Sequence, residues 1–255
     1  MNLIEKIKWF FWPVEQKEQK QTILMIIVLF LVSFVYSILR TLKITILLAD
    51  PTLPSQALSY LKIFGIMPAA IVFTWFAIKI QTTVGQRKTF FIMNAVFALI
   101  FSILTFCVLP YQEAFHLHFS GQHELISLLN SWYITIFYVA AEMWSSIMLN
   151  MLCWGVIIEI TGHKDSPRLY SIFSLAANLA TYAAGWWGSS TIKAQVKYFM
   201  NTNNPTWDQS LLYQMIVLLI CQALIMVFFH VAISSQSDRH QKTLSKKVRL
   251  GLKEC

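Results

Sequence analysis

Residues 22–49 read TILMIIVLFLVSFVYSILRTLKITILLA. The run is apolar well past the roughly 20 residues that a helix needs to cross the hydrocarbon core of a bilayer. Arg40 and Lys43 carry its only charges. Five further stretches of the same kind follow at 59–80, 89–108, 132–160, 169–188 and 211–232. They are continuously apolar and do not alternate with period two, which argues against a transmembrane barrel. The reading is an all-α, polytopic membrane protein: a six-transmembrane-helix bundle.

Composition agrees. The 255 residues are 56% hydrophobic and 13% charged, with a mean hydropathy of +0.57. Average soluble domains carry about 25% charged residues, so this chain lacks the polar surface to stay dispersed in water. The segments divide as a leader (1–21), a membrane domain (22–234) and a basic tail (235–255). The first stretch follows a charged leader and is too long for a cleavable signal, so it is expected to persist as a helix. In the leader, Leu3, Ile4, Ile7, Trp9, Phe10, Phe11 and Trp12 mix with Lys6 and Lys8 ahead of Pro13. That mixture suits a short helix lying among the headgroups.

Charge sets the expected orientation. Of the 20 Lys and Arg, fifteen fall in the leader, in the connections after the second and fourth stretches, and in the tail. Lys193 and Lys197 lie on the opposite side, and Arg40, Lys43 and Lys62 lie within stretches. Lys- and Arg-rich segments stay cytoplasmic, so both termini are predicted cytoplasmic. The net charge of +8 therefore reports topology, and no nucleic-acid partner is expected. Cys107, Cys153 and Cys221 lie inside apolar stretches, while Cys255 ends the chain; none forms a metal-type pair. No Walker loop, dinucleotide fingerprint, HExxH or nucleophile elbow is present. The chain is expected to be no enzyme, with no catalytic residue, no metal and no cofactor. The loop histidines His116, His118 and His123 are weakly spaced for a metal.

Charges within the spans are the candidates for function, since each is costly in lipid. Arg40 and Lys43, three apart, share a helix face that is expected to point into the bundle; snorkelling to the outer headgroups is the alternative. Glu142, in FYVAAEMWSSIML, is too deep to snorkel, and so is protonated, paired with a cation or facing a wet cavity. Small residues Ala140, Ala141, Ser145 and Ser146 around it allow close helix contact. Lys62 precedes Gly65 and Pro68, which bend membrane helices; its alternative is an interfacial lysine. Asn178, in SLAANLATYAAG, is expected to hydrogen-bond between helices. Two or three cations with one carboxylate suit an anionic solute, with Arg offering a bidentate fork to phosphate and Lys a point charge.

FWPVE (11–15), YSILRTLK (36–43), YLK (60–62) with Pro68, AAEMW (140–144), RLYSIF (168–173) and the following AAN occur in one order. Together they resemble the ATP/ADP translocases, the nucleotide transporters of obligate intracellular bacteria and plastids, across the first five stretches. The resemblance implies a fold like one half of a major-facilitator transporter. It also implies exchange of ATP for ADP, or nucleotide import with protons, and location in a bacterial inner membrane. By motif it implies that Lys43 meets phosphate and that Glu142 supports binding or coupling. Two positions depart from the pattern: Ile44 stands where an acidic residue is usual, and Ser145 where glycine is expected. The chain resembles only the N-terminal half of such transporters. The expected partners are therefore the nucleotide, the bilayer and either a second half-transporter or another copy of the chain. The competing reading is a membrane scaffold or a transporter remnant that carries nothing.

Overall fold

The computed structural model describes residues 19–49, 53, 57–111, 115, 117, 119, 124–201, 204 and 206–251. Most of the leader, His116, His118, His123 and Cys255 lie outside them. Among the described residues every regular element is helical. In chain order these are α1 (Gln19–Ala49), α2 (Ala57–Val84) and α3 (Gln86–Tyr111), then α4 (Glu124–Asn130) and α5 (Trp132–Trp144). A wide π-type segment, Ser145–Cys153, joins α5 to α6 (Trp154–Trp186). The last two are α7 (Ile192–Met200) and α8 (Trp207–Gly251).

Five helical segments are long and apolar enough to cross a membrane: α1, α2, α3, Trp132–Glu159 and Trp207–Ser234. These match five of the six expected stretches. The remaining one, 169–188, lies in the second half of α6 and is rich in Ala, Ser, Thr, Tyr and Asn rather than Leu, Ile and Val. It is weaker by composition, yet it packs closely along α1. Although α6 is helical throughout Trp154–Trp186, the chain must double back before Thr181. Lys43 pairs with Glu142, and Ser37 Oγ donates to Thr181 Oγ1 at 3.2 Å. Ser37 and Lys43 are about 9 Å apart along α1, whereas a straight helix would separate Glu142 from Thr181 by roughly 58 Å. The fourth and fifth stretches are thus antiparallel arms that both pack on α1.

Helix α1 is the hub because apolar side chains recur on it every three or four residues. Met25, Val28, Leu29, Val32, Val35, Leu39 and Leu42 are all buried, against α5, α6 and α8. On α8 the buried set Leu211, Met215, Leu218, Ile225, Phe229 and Ala232 keeps the same spacing, which makes one seam along the helix. Phe90 and Phe229 meet there with ring centroids 4.0 Å apart. Helix α2 is peripheral: Ile63, Phe64, Met67, Ile71, Val72 and Trp75 are exposed, as suits a lipid-facing helix. Its tight turn into α3 is made at Gly85, whose φ of +83° lies in the region that glycine adopts without steric cost.

The tail does not form a separate irregular segment, because α8 runs unbroken to Gly251. Lys, Arg, Gln and Leu are good helix formers, and neither proline nor glycine intervenes before Gly251. Of the described cysteines, Cys153 and Cys221 are buried as expected for packing residues, while Cys107 is exposed on α3.

One core feature has no counterpart in the charge pattern. Asn94 on α3 and Gln222 on α8 are both fully buried, and Asn94 Nδ2 donates to the Gln222 backbone carbonyl at 3.1 Å. Both polar atoms of the Gln222 side chain lack a hydrogen-bond partner among the described residues. An unpaired buried amide costs about 1–3 kcal/mol. Gln222→Leu removes it and keeps the backbone acceptor, so the variant is expected to melt at a higher temperature in detergent than the parent. A lower melting temperature would mean that the amide holds something worth keeping.

Candidate functional site

Helices α1 and α5 pack together, and the candidate site lies between them. Lys43 is buried on α1, and its Nζ donates to Glu142 Oε2 on α5 as an ion pair. The side chains retain 10% and 32% of their exposure respectively, so the lysine is enclosed and the carboxylate reaches an open face. Tyr138, one helical turn before Glu142, places its ring 5.2 Å from Lys43 Nζ. A cation over an aromatic face is attracted by the ring quadrupole. The lysine is therefore held by one full and one partial negative partner.

The surrounding backbone is built for close approach. Ala140 and Ala141 are buried and keep α5 near its neighbours. Ser145 Oγ donates to the Glu142 backbone carbonyl at 2.8 Å as the helix widens into the π-type segment that follows. Carbonyls freed by such widening need partners, and a serine supplies one where glycine could not. Trp144, next along, is completely buried. On α2 a π-type turn, Leu61–Ile66, precedes Pro68, which is the irregularity expected of that helix. A Cβ at Gly65 would lie 3.2 Å from Val139 Cγ2, so glycine there lets α2 approach α5 beside Tyr138.

The five candidates do not form one cluster. Lys43 and Glu142 come together. Arg40, expected on the same inward face, is exposed and has no carboxylate partner among the described residues. Residues three apart are displaced by about 60° around a helix, enough for the packing seam to pass between them. Asn178 is exposed on α6 and makes no hydrogen bond among the described residues, contrary to the expected interhelical bond. The bond at that level is made by Thr181, three residues on, to Ser37. Ser37 and Arg40 share a face of α1, as Asn178 and Thr181 share a face of α6. The Ser37–Thr181 bond therefore joins α1 to α6 near Arg40 and Asn178, both of which are exposed. Lys62 is exposed at the start of α2 and makes no ion pair among the described residues.

Tyr138 was legible as the residue four before Glu142, and hence on its face. At the far end of the same arm Arg87 Nε donates to Glu159 Oε1 at 3.0 Å, so Glu159 pairs with the basic turn after Gly85. The Gln86 side chain lies directly over Gly155. Together these contacts tie the start of α3 to the end of the fourth stretch.

A sequence model described as the TLC ATP/ADP transporter matches residues 2–251. ADP,ATP carrier protein 1 of Chlamydia trachomatis is 28% identical over 234 residues, covering 86% of this chain and 43% of the relative. The corresponding protein of Chlamydia muridarum is 29% identical, covering 71% and 36%. ADP,ATP carrier protein 4 of Rickettsia bellii is 26% identical, covering 72% and 37%. The chain therefore spans less than half the length of these curated relatives. No solved structure matches it.

Proposed function

The chain belongs to the TLC ATP/ADP transporter family, and on that premise we propose that it forms one half of a nucleotide pathway that exchanges ATP for ADP across a bacterial inner membrane. The observation that carries the reading is the Lys43–Glu142 pair: a nearly enclosed cation whose carboxylate partner opens to one face. A nucleotide phosphate carries the same charge as Glu142 and competes with it for Lys43. Arg40, one turn away and without a carboxylate partner among the described residues, adds a planar fork for a second phosphate oxygen. The displaced carboxylate then holds a proton or turns to the open face. Binding and release of the anion are thereby coupled to the state of one ion pair.

On this reading Asn178 and Lys62 flank the route rather than hold the phosphate. The exposed side carrying Arg40 and Asn178 faces a second six-helix unit, either another half-transporter or another copy of this chain. Transporter sites form between such repeats. The 169–188 arm is the fifth of six spans, both termini are cytoplasmic, and the membrane domain covers 22–234.

Competition binding tests the phosphate reading. Labelled ATP is bound to the purified, detergent-solubilised chain and displaced with ATP, ADP, AMP or adenosine. ATP and ADP are expected to displace it at similar concentrations, with adenosine at least about tenfold weaker, since each charged phosphate contact contributes on the order of 1.5–3 kcal/mol. Adenosine competing as well as ATP would remove the role assigned to Lys43 and Arg40.

A further inference from the structure

Where α2 ends and α3 begins, the surface carries an open groove of roughly 360 Å³. Its walls are apolar: Trp75, Phe76, Ile80, Val84 and Ile92. One cation stands in it. Lys79 Nζ lies 4.9 Å from the centroid of the Trp75 ring, and Lys79 has no carboxylate partner among the described residues. Lys88 is exposed, likewise unpartnered among them, and sits four residues before Ile92 on the same face of α3. Among the described residues no acidic side chain lines the groove, and Glu159 is held by Arg87.

We propose that this groove is a binding site for an anionic phospholipid, with an acyl chain along the Trp75–Ile92 wall and the headgroup phosphate between Lys79 and Lys88. Its position suits that occupant. Tryptophan and lysine at the end of a span mark the level of the headgroups, and basic pockets between helices at that level select anionic lipids. Charge complementarity favours lipid over a second protein chain: a covering helix would have to bring its own carboxylates to two lysines already at the membrane surface. The Trp75 contact holds Lys79 in place before the lipid arrives, so little side-chain entropy is lost on binding. The site lies at the end of α2, apart from the Lys43–Glu142 pair, and stands whether or not nucleotide is carried.

The full chain, reconstituted in phosphatidylcholine vesicles, is given trace photoactivatable phosphatidylglycerol or photoactivatable phosphatidylcholine, and crosslinks are mapped by peptide mass spectrometry. Phosphatidylglycerol is expected to label residues 75–92 about tenfold more than phosphatidylcholine, given two lysines at the surface. The paired substitution Lys79→Gln and Lys88→Gln is expected to reduce that labelling to the phosphatidylcholine level. Salt at about 0.5 M should weaken it in the parent as well. Equal labelling by the two lipids in the parent, no labelling of the segment by either, or a preference that survives the double substitution would each overturn the proposal. If the double variant fails to insert, the lipid ratio and its salt dependence in the parent decide.

Discussion

Lys43→Ala is expected to cost about 2 kcal/mol of stability and to abolish nucleotide binding. Breaking a buried ion pair strands a charge and costs roughly 3–5 kcal/mol when both partners are enclosed. Here Glu142 keeps about a third of its exposure, which lowers the cost. Glu142→Ala should destabilise by a similar amount, because Lys43 is the more enclosed partner and then keeps only the Tyr138 ring. The double substitution should cost less than the sum of the two, by about 1–2 kcal/mol, the size typical of groups in direct contact. Denaturant or thermal melts of the four proteins in one detergent measure this. Strict additivity would mean that the pair contributes nothing. Binding should separate the partners: without Lys43 the phosphate loses its cation, whereas Glu142→Gln removes a competitor. The glutamine variant is therefore expected to bind nucleotide at least as tightly as the parent and still fail to transport it.

Trp144→Ala is expected to be the most damaging single change to the fold, costing about 3–4 kcal/mol. Trp144 is fully buried, and removing a large aromatic from a packed core opens a cavity that its neighbours only partly fill. In a membrane the transfer part of that cost shrinks, since lipid is itself apolar, but lost packing remains. Its indole N–H has no hydrogen-bond partner among the described residues, so Trp144→Phe should cost far less than Trp144→Ala and approach neutrality. A phenylalanine variant as unstable as the alanine one would mean that the N–H is satisfied by something essential. Nucleotide affinity per folded molecule should survive in the phenylalanine variant, because this tryptophan supports the helix that carries Glu142 and is not placed to meet the ligand.

Much of this architecture is readable from charge and hydropathy because a bilayer leaves few alternatives. An apolar run of sufficient length becomes a helix, and a carboxylate as deep as Glu142 must find a partner. Lys43 met that need. Which way Arg40 would turn was not readable, because residues three apart fall close to either side of a packing seam, and the seam depends on which helix lies alongside. Helix α2 gives no sign of its peripheral place, since a lipid-facing helix and a core helix are equally apolar. The arm at 169–188 is less apolar yet packs tightly on α1, since small residues pack well in membranes without raising hydropathy. Asn94 and Gln222 bear no charge and so stand outside the charge pattern, although a polar residue inside an apolar run carries the same physical signal. The helical continuation to Gly251 was written in the tail's helix-forming residues but masked by its polarity.

We propose that nucleotide crosses by a route that the Lys43–Glu142 pair controls, with a second copy of this chain completing the pathway in a host that expresses it alone. Uptake of labelled ATP into intact bacterial cells expressing the chain tests it most directly, with membrane insertion verified and a Glu142→Gln variant beside it. The account predicts uptake by the parent, efflux of the accumulated label when unlabelled ADP is added outside, and loss of both in the variant. Uptake equal to that of cells lacking the chain, or uptake unchanged by Glu142→Gln, would contradict it.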